Sequence, residues 1–412
     1  MGNGGGSETD ELQSLREDIR SRLAWADAVS DEELRRLIEA ELFRREWARR
    51  LTASQRKSAV ERLFHSFRGL DALQPLLEDP EITEIMINRH DEIFIEKHGE
   101  LLPSGIRFES QERLEDLIQA IVGRVNRIVN ESSPIVDARL PDGSRVHVVL
   151  PPVALKGPTV TIRRFPKHPL GMKELILLGA LTDEAAELLQ VLVAAKYNLF
   201  ISGGTGSGKT TFLNALSEWI PAGERIITIE DAAELRLRRA SNLVSMETRN
   251  ANSEGKGRIA MAELIRASLR MRPNRIIVGE VRGAEALDML QAMNTGHEGS
   301  LSTGHANGPR DMLSRLESMV LSGVDWPVQV VRKQVASAID VIVHLSRFRD
   351  GSRRVTEICE VAGLKDGEIE LRPLYRFEET GEEKGRVVGS LVKVGRLSIA
   401  DKLRFAGFRE VT

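Results

Sequence analysis

The first part of the chain has the spacing of apolar residues that is typical of amphipathic helices. Arginine and glutamate fill most of the remaining positions, which gives each predicted helix one apolar and one charged face. We therefore predict a helical bundle over residues 1–68. Two capping boxes predict where further helices begin: Ser30 with Glu33, and Thr52 with Gln55. The apolar positions of the first helix are Leu12, Leu15, Ile19 and Leu23.

Over residues 69–164 the pattern changes to short strands around one amphipathic helix. Apolar and polar positions alternate in the strands, as expected for a sheet with one buried face. A Pro-Asp-Gly-Ser turn at 141–144 predicts a hairpin between two of them. The segment is therefore predicted to be a small α/β domain. Its strands are predicted at 80–87, 92–95 and 159–162, and its hairpin at 136–148. Its helix is marked by Leu114, Leu117, Ile118, Ile121 and Val125.

A run that is unsuited to both helix and strand, from Phe165 to Gly171, follows this domain. We interpret residues 165–172 as a linker and residues 173–412 as a second, larger domain. In the larger domain, β-branched strands that end in carboxylates alternate with helices, the first of which Thr182 caps. This alternation predicts an α/β fold with a parallel sheet.

A glycine-rich loop between an apolar strand and a helix identifies the chemistry of this domain. It fits G-x-x-x-x-G-K-[ST], with Gly203, Gly208, Lys209 and Thr210 at the fixed positions. Glycines there let backbone N–H groups turn toward a phosphate, and the positive end of the next helix adds to the attraction. Lys209 is expected to reach the β- and γ-phosphates, and Thr210 to place its hydroxyl on Mg²⁺. The predicted site for a nucleoside triphosphate comprises Gly203, Gly204, Thr205, Gly206, Ser207, Gly208, Lys209, Thr210 and Thr211.

Carboxylates that end neighbouring strands, and a histidine-bearing segment, complete the candidate site. Glu230 and Glu280 could hold Mg²⁺ through water or polarise an attacking water, although either could also be a helix cap or a surface acid. Residues 294–307 are dense in Gly, Ser and Thr and contain His297 and His305. We interpret them as a loop that senses the γ-phosphate, because a zinc site would need more ligands than two histidines.

Four arginines near the predicted strand ends of the smaller domain have two possible roles. They could be solvated charges that protect sheet edges. They could instead contact a triphosphate, because a planar guanidinium matches the geometry of phosphate oxygens. The sequence leaves both roles open for Arg139, Arg145, Arg163 and Arg164.

Composition narrows the class of protein further. A chain of 412 residues with a net charge of −3 has room for two or three domains and lacks the basic excess of a general nucleic-acid binder. No apolar run approaches the roughly 18 residues of a membrane span, so we predict a cytosolic protein. The single cysteine, Cys359, excludes an internal disulfide framework and a thiolate metal cluster. The glycine-rich residues 1–8 are interpreted as a disordered leader.

Taken together, these motifs resemble the secretion ATPases, which drive type II and type IV secretion, type IV pili and archaella. The resemblance rests on the P-loop, the acidic box 228–231, the Walker B segment 279–283 and the Thr-Gly-His boxes at 295–297 and 303–305. Residues 268–307 are most similar to the CpaF/TadA branch, the motors of Tad (tight-adherence) pili. The chain departs from pilus-extension and type II secretion ATPases because it lacks their four-cysteine zinc module.

The resemblance covers about residues 70–345 and implies a RecA-like P-loop NTPase domain after a smaller, PAS-like α/β domain. It implies a homo-hexameric ring that uses ATP and Mg²⁺ and whose domains swing about the linker. The expected function is assembly of pilin filaments on an inner-membrane platform protein, from the cytoplasmic side and without nucleic acid. Whether the motor also withdraws filaments is left open. Three alternatives are a nucleic-acid translocase, a substrate-transfer ATPase of type IV secretion and a non-catalytic scaffold.

The same resemblance implies roles for individual residues. Glu280 would help to hold Mg²⁺ as the Walker B acid, and Glu230 would orient the lytic water. His305 would report on the γ-phosphate. His297 and Arg282 would act near the nucleotide or at a subunit contact. The four arginines match the strands by which the smaller domain of the family reaches the nucleotide, in the same chain or in a neighbour.

Overall fold

The computed structural model describes residues 5–23, 29–125, 127–165, 169–251 and 255–408. The chain divides into two compact units, Met1–Pro166 and Lys167–Thr412, which we call the N-terminal and the C-terminal unit. Residues 166–168 of the predicted linker lie outside the described residues. Within the described part of the chain, no helix is both long and apolar enough to cross a membrane.

The N-terminal unit begins with three helices that bury a common apolar core. Both predicted capping boxes are present, at Ser30 and at Thr52. Helix α1 begins at Gly5, so the prediction of a disordered leader is wrong for residues 5–8; residues 1–4 lie outside the described residues. The helices are α1 (Gly5–Leu23), α2 (Asp31–Arg44) and α3 (Ala53–Arg68), with a 3-10 turn at Trp47–Arg50. Their core includes Leu12, Leu15, Ile19, Leu34, Ile38 and Leu63.

The rest of the N-terminal unit is an antiparallel sheet with one long helix against it. The strand and hairpin predictions for this segment are confirmed. Leu114, Leu117, Ile118 and Ile121 are buried in the same core as the sheet, whereas Val125 follows the end of the helix and is only partly buried. In the described residues the strand order is β3-β2-β1-β6-β5-β4. The strands are β1 (Ile82–Arg89), β2 (Glu92–Lys97), β3 (Glu100–Pro103), β4 (Ile135–Arg139), β5 (Arg145–Val149) and β6 (Thr159–Arg163). The helices are α4 (Gln74–Glu78) and α5 (Gln111–Arg124).

The C-terminal unit contains a mixed sheet with helices between its strands. In the described residues its order is β15-β14-β13-β12-β7-β11-β10-β8-β9, parallel from β12 to β9 and antiparallel from β12 to β15. The strands are β7 (Leu199–Gly203), β8 (Arg225–Glu230), β9 (Asn242–Glu247), β10 (Arg275–Val278), β11 (Leu301–His305), β12 (Val341–Arg347), β13 (Arg353–Lys365), β14 (Glu368–Glu383) and β15 (Arg386–Lys393). The helices are α6 (Met172–Leu177), α7 (Asp183–Ala194), α8 (Lys209–Ser217), α9 (Met261–Ser268), α10 (Glu285–Asn294), α11 (Pro309–Leu321), α12 (Val328–Ala338) and α13 (Asp401–Phe405).

Strand β11 lies where the sequence predicted a loop. The loop prediction over residues 294–307 is wrong for residues 301–305, which form a buried strand between β7 and β10. Small residues suit this position because a Cβ on Gly304 would lie 3.0 Å from Met312 and Phe200 side-chain atoms. The parallel pairing sets His305 beside Gly203. The end of β11 therefore lies next to the start of the P-loop.

Candidate active site

The P-loop connects β7 to α8 at the carboxyl edge of the parallel strands, where open α/β sheets bind ligands. Gly206 and Gly208 have φ of +69° and +92°, a conformation that favours glycine. A Cβ on Gly203 would lie 2.4 Å from the Leu345 carbonyl oxygen and 2.5 Å from Ser207 Oγ, so no side chain fits there. The loop is thus a narrow turn that leads directly into a helix N-terminus, which fits a phosphate group.

Lys209, at the first position of α8, is buried beneath this loop. Its Nζ donates to the carbonyl oxygens of Gly203, at 3.1 Å, and Gly204, at 2.9 Å, and lies 3.3 Å from His305 Nδ1. The ammonium therefore already lies inside the loop, where phosphate oxygens would replace these carbonyl acceptors. The following Thr210 is half-buried on the first turn of α8.

A row of charged groups extends from Lys209 across the ends of the neighbouring strands. His305 Nε2 lies 2.8 Å from Glu280 Oε1, and Arg282 Nη2 donates to Glu280 Oε2 at 2.7 Å. Burial lowers the pKa of His305, and the charges of Lys209 and Arg282 lower it further, against the opposing effect of Glu280. A neutral imidazole is therefore expected, with Nδ1 accepting from Lys209 and the proton on Nε2.

Glu280 has one carboxylate oxygen engaged and one directed into the site. Oε2 is held by Arg282, whose pKa is raised mainly by this hydrogen bond. Oε1 is buried and lies 2.8 Å from His305 Nε2 but, within the described chain, has no hydrogen bond of normal geometry. A carboxylate oxygen in this position suits a divalent cation or its bound water.

Glu230, the second predicted acid, ends a strand adjacent to the one that precedes Glu280. It ends β8, which pairs in parallel with β10, and its side chain is buried, with 4% exposure. Its Oε1 accepts the backbone N–H of Glu234 at 2.9 Å and of Leu235 at 3.0 Å. Burial raises the pKa of Glu230 to about 7, although these N–H groups oppose the rise. A carboxyl group that titrates there is suited to accept a proton from water at neutral pH.

The cleft beside the P-loop is also lined by residues that the motifs did not identify. Asn307 follows the second Thr-Gly-His box, and Asp311 and Arg315 lie on α11. The charge of Arg315 contributes to the lowered pKa of His305. Asp311 and Arg315 are four positions apart just after the second Thr-Gly-His box, and this spacing is the sequence feature that could have identified them.

The structure does not bring His297 to this cleft. His297 precedes β11, at the amino edge of the strands, whereas the P-loop and His305 lie at their carboxyl edge. Its Nδ1 lies 3.3 Å from the carbonyl oxygen of Ala292, and its own carbonyl oxygen accepts from Ser300 Oγ at 2.6 Å. These contacts belong to the turn between α10 and β11. A role at a subunit contact stays a prediction.

Three of the four predicted arginines form a row on the sheet of the N-terminal unit. Arg145 pairs in register with Arg139 on one side and with Arg163 on the other. Residues paired in this way lie on the same face of a sheet. Arg145 Nη2 lies 3.3 Å from Asp137 Oδ1, and Arg163 Nε lies 3.9 Å from Glu84 Oε1. Like charges in adjacent positions repel one another, so this row favours an anion nearby.

Arg164 has a different environment from the arginine row. Its guanidinium donates to backbone carbonyl oxygens of the segment before and at the start of β1. These contacts hold that segment against the end of β6. The structure thus gives Arg164 a structural role that the sequence did not indicate. The acceptor residues are Leu76, Leu77, Asp79 and Ile82.

Comparisons with known proteins agree with this geometry. A family model described as "Type II/IV secretion system protein" matches residues 67–387. A putative conjugal transfer protein of Mycobacterium tuberculosis is 38% identical over 298 residues, which cover 71% of this chain and 84% of the relative. The type IV secretion system protein VirB11 of Brucella suis is 33% identical over 336 residues, which cover 73% and 92%.

Two solved structures share the fold at low sequence identity. The ATPase DotB of Legionella pneumophila has a TM-score of 0.51 at 23% identity and covers 70% of this chain and 79% of its own. The pilus retraction motor PilT, solved with bound ADP, has a TM-score of 0.52 at 18% identity and covers 82% and 86%. The prediction of an α/β P-loop domain preceded by a smaller α/β domain is confirmed.

Proposed function

Because the chain belongs to the type II/IV secretion system protein family and is an ATPase, we propose that it is a ring-forming motor that drives pilin-filament assembly. The observation that carries the proposal is the row of contacts from Lys209 through His305 to Glu280. It links the phosphate-binding loop to two neighbouring strand ends. A change at the phosphates can therefore be transmitted to the sheet.

We propose the following roles for the site residues. Lys209 exchanges the carbonyl oxygens of Gly203 and Gly204 for phosphate oxygens. Glu230 accepts a proton from the attacking water. When Mg²⁺ is bound with the nucleotide, it neutralises phosphate charge, and Thr210 and Glu280 are the residues suited to hold it.

His305 and Arg282 act through Glu280. Arg282 orients the carboxylate by binding Oε2, which leaves Oε1 directed toward the site. Neutral His305 lies between Lys209 and Glu280. When Lys209 moves toward a phosphate, its contact with Nδ1 changes, and His305 reports this change to Glu280.

The arginine row is proposed to complete the site from the smaller domain. Arg139, Arg145 and Arg163 concentrate positive charge on one face, and guanidinium groups suit the charge of a triphosphate. We propose that they reach the nucleotide of the same chain or of a neighbour in a homo-hexamer. Loss of the γ-phosphate would release them and allow a swing about residues 165–172.

The proposed cellular role rests on the resemblance of residues 268–307 to the CpaF/TadA branch. We propose that the motor is cytoplasmic and works at the inner membrane through a platform protein of a Tad-type pilus. A second candidate is substrate transfer by a type IV secretion system, which the conjugal transfer and VirB11 relatives favour. A ring translocase on nucleic acid is a third candidate, which the net charge of −3 disfavours.

Steady-state ATPase assays combined with size-exclusion light scattering test the motor itself. We expect hydrolysis by a hexamer and no stimulation by single-stranded DNA. Strong, salt-sensitive stimulation by DNA would support the translocase instead. Absence of hydrolysis by a correctly folded hexamer would support a scaffold.

Complementation in cells separates the two secretion candidates. A strain that carries Lys209→Ala in place of the wild-type chain is expected to lose surface pili. If pili remain and transfer of a secreted substrate is lost, the chain serves type IV secretion. An exposed substitution outside the site, Arg372→Ala, is the matched control for protein level.

Mixed rings test the arginine row. A chain with Arg145→Ala and a chain with Lys209→Ala should each be inactive. Contact in trans predicts recovery of some turnover on mixing, because some interfaces then combine an intact P-loop with an intact arginine. No recovery in verified mixed hexamers would favour contact in the same chain. Full activity of every arginine-row variant would refute the cross-domain contact.

A further inference from the structure

The turn between β12 and β13 lies directly against the P-loop. Arg353 Nε donates to the Gly206 carbonyl oxygen at 2.8 Å. The Arg353 side chain also covers the next glycine, since its Cδ would lie 3.4 Å from a Cβ on Gly208. Arg347 Nη1 would lie 3.9 Å from a Cβ on Gly206. The two arginines that flank this turn, at the end of β12 and at the start of β13, therefore border the part of the loop that has left-handed backbone.

This contact approaches the P-loop from the side away from the acids. Strand β7, which precedes the loop, has β11 on one side and β12 on the other. His305, at the end of β11, and Glu280, after β10, lie on the first side. Arg353 comes from the second side. Its contact with Gly206 is therefore separate from the row of charged groups described above.

The turn that precedes Arg353 is anchored at its base. Asp350 Oδ1 accepts the backbone N–H and the hydroxyl of Ser352, at 2.9 and 2.6 Å, and Oδ2 accepts the Val387 N–H at 2.9 Å. These hydrogen bonds, first that of the Ser352 hydroxyl, lower the pKa of Asp350 to about 2. The turn is thus tied to β15.

Arg354 strengthens the same anchor. Its Nη2 donates to the Val387 carbonyl oxygen at 2.6 Å, and its guanidinium lies 5.5 Å from the Phe348 ring and 5.3 Å from the Phe377 ring. Those rings lie 5.0 Å apart. Arg353 therefore extends toward the P-loop from a turn that strands β14 and β15 hold in place.

We propose that Arg353 is a positioning residue that fixes the shape of the P-loop without contacting the substrate. A cation bound to the Gly206 carbonyl holds that peptide unit in one orientation, so the N–H groups on the other side of the turn stay directed inward. The proposal rests on the assignment of the P-loop to phosphate binding. It adds that β13 supplies part of the rigidity of the loop.

Binding of ATP and of inorganic tripolyphosphate, which has no nucleoside, tests the proposal. Arg353→Ala should weaken both by about tenfold, the loss typical of one hydrogen bond from a charged donor. The KM for ATP should rise by a similar factor while kcat changes less than about twofold. The reason is that the lost interaction stabilises bound ATP and the transition state equally. Arg353→Lys, which can still donate to the carbonyl, should recover part of the loss.

Two further variants make the test specific. Asp350 does not contact the P-loop, but its replacement by alanine loosens the turn. Asp350→Ala should therefore weaken the binding of ATP and of tripolyphosphate, to a smaller degree than Arg353→Ala. Arg372→Ala removes an arginine of β14 that pairs with Glu370 and should leave both affinities unchanged. Thermal unfolding of Arg353→Ala, Arg353→Lys and Arg372→Ala should be close to wild type.

The outcomes are distinct. Equal affinities for Arg353→Ala and wild type would overturn the proposal, and so would a loss for ATP alone, which would indicate direct contact with the nucleoside. A wild-type protein that bound neither probe would instead overturn the nucleotide-site assignment on which the proposal rests.

Discussion

Replacement of Glu230 by glutamine should make the protein more stable at alkaline pH while it slows hydrolysis. The carboxyl group is buried at the end of β8, and its burial raises its pKa from 4.5 to about 7. A group with a raised pKa in the folded state binds more protons when folded than when unfolded. The contribution of Glu230 to the free energy of unfolding is therefore most favourable below about pH 4.5. It falls as the pH rises from there through 7.

The size of the effect follows from the shift. The rise in pKa from 4.5 to about 7 corresponds to a loss of ~3 kcal/mol in the free energy of unfolding as Glu230 ionises, at 1.36 kcal/mol per pKa unit. Most of this loss occurs between pH 5 and pH 8. A glutamine at this position would stay neutral and keep an oxygen for the N–H groups of Glu234 and Leu235. The variant should therefore gain about 2–3 kcal/mol over wild type between pH 5 and pH 8.

Urea unfolding of both proteins at pH 5 and pH 8, followed by circular dichroism, measures this difference. Glu383→Gln, on the exposed end of β14, is the matched control and should show no such change. A difference between Glu230→Gln and wild type that is the same at both pH values would refute the burial argument.

The rate of ATP hydrolysis should rise over the pH range in which stability falls. If Glu230 accepts the proton from water, wild-type kcat should rise with pH up to about 7 and then level off, since only the ionised carboxylate is a base. Glu230→Gln should retain ATP and hydrolyse it about 10²–10⁴-fold more slowly. If Glu280→Gln alone traps ATP while Glu230→Gln stays active, the two acids have exchanged roles.

Four other substitutions test separate parts of the structure. Lys209→Ala should abolish turnover and weaken binding of a fluorescent ATP analogue, because the lysine compensates phosphate charge; wild-type turnover would disprove the P-loop assignment. Gly304→Val should lower the free energy of unfolding by about 1–3 kcal/mol, because its side chain would overlap Met312; unchanged urea unfolding would argue against a buried β11. Arg164→Ala should lower the melting temperature of the N-terminal unit, since it removes hydrogen bonds to backbone carbonyls, whereas Arg145→Ala should lower turnover and leave that temperature nearly unchanged.

The sequence by itself determined the elements with strong local signals. The capping boxes at Ser30 and Thr52 began helices as predicted, because a cap depends on residues only three positions apart. Alternating strands and the P-loop were equally local. The acidic ends of two strands were also evident, since a strand followed by a carboxylate and a helix can be recognised without knowledge of strand order.

Only the tertiary structure decided what lies beside these elements. Residues 301–305 resemble a loop in composition, yet they form a central strand, because packing against Phe200 and Met312 favours small residues there. The same strand separates His297 from His305 by placing them at opposite edges of the sheet, although both histidines end a Thr-Gly-His box.

The environments of the arginines were likewise decided by the tertiary structure. The sequence grouped four of them by their positions near strand ends, whereas strand pairing put Arg139, Arg145 and Arg163 in one row. Arg164 faces backbone carbonyls far from it in the chain. The contact of Arg353 with Gly206 joins residues 147 positions apart. Such contacts depend on strand order and register, which many distant side chains fix together, so no local pattern in the sequence records them.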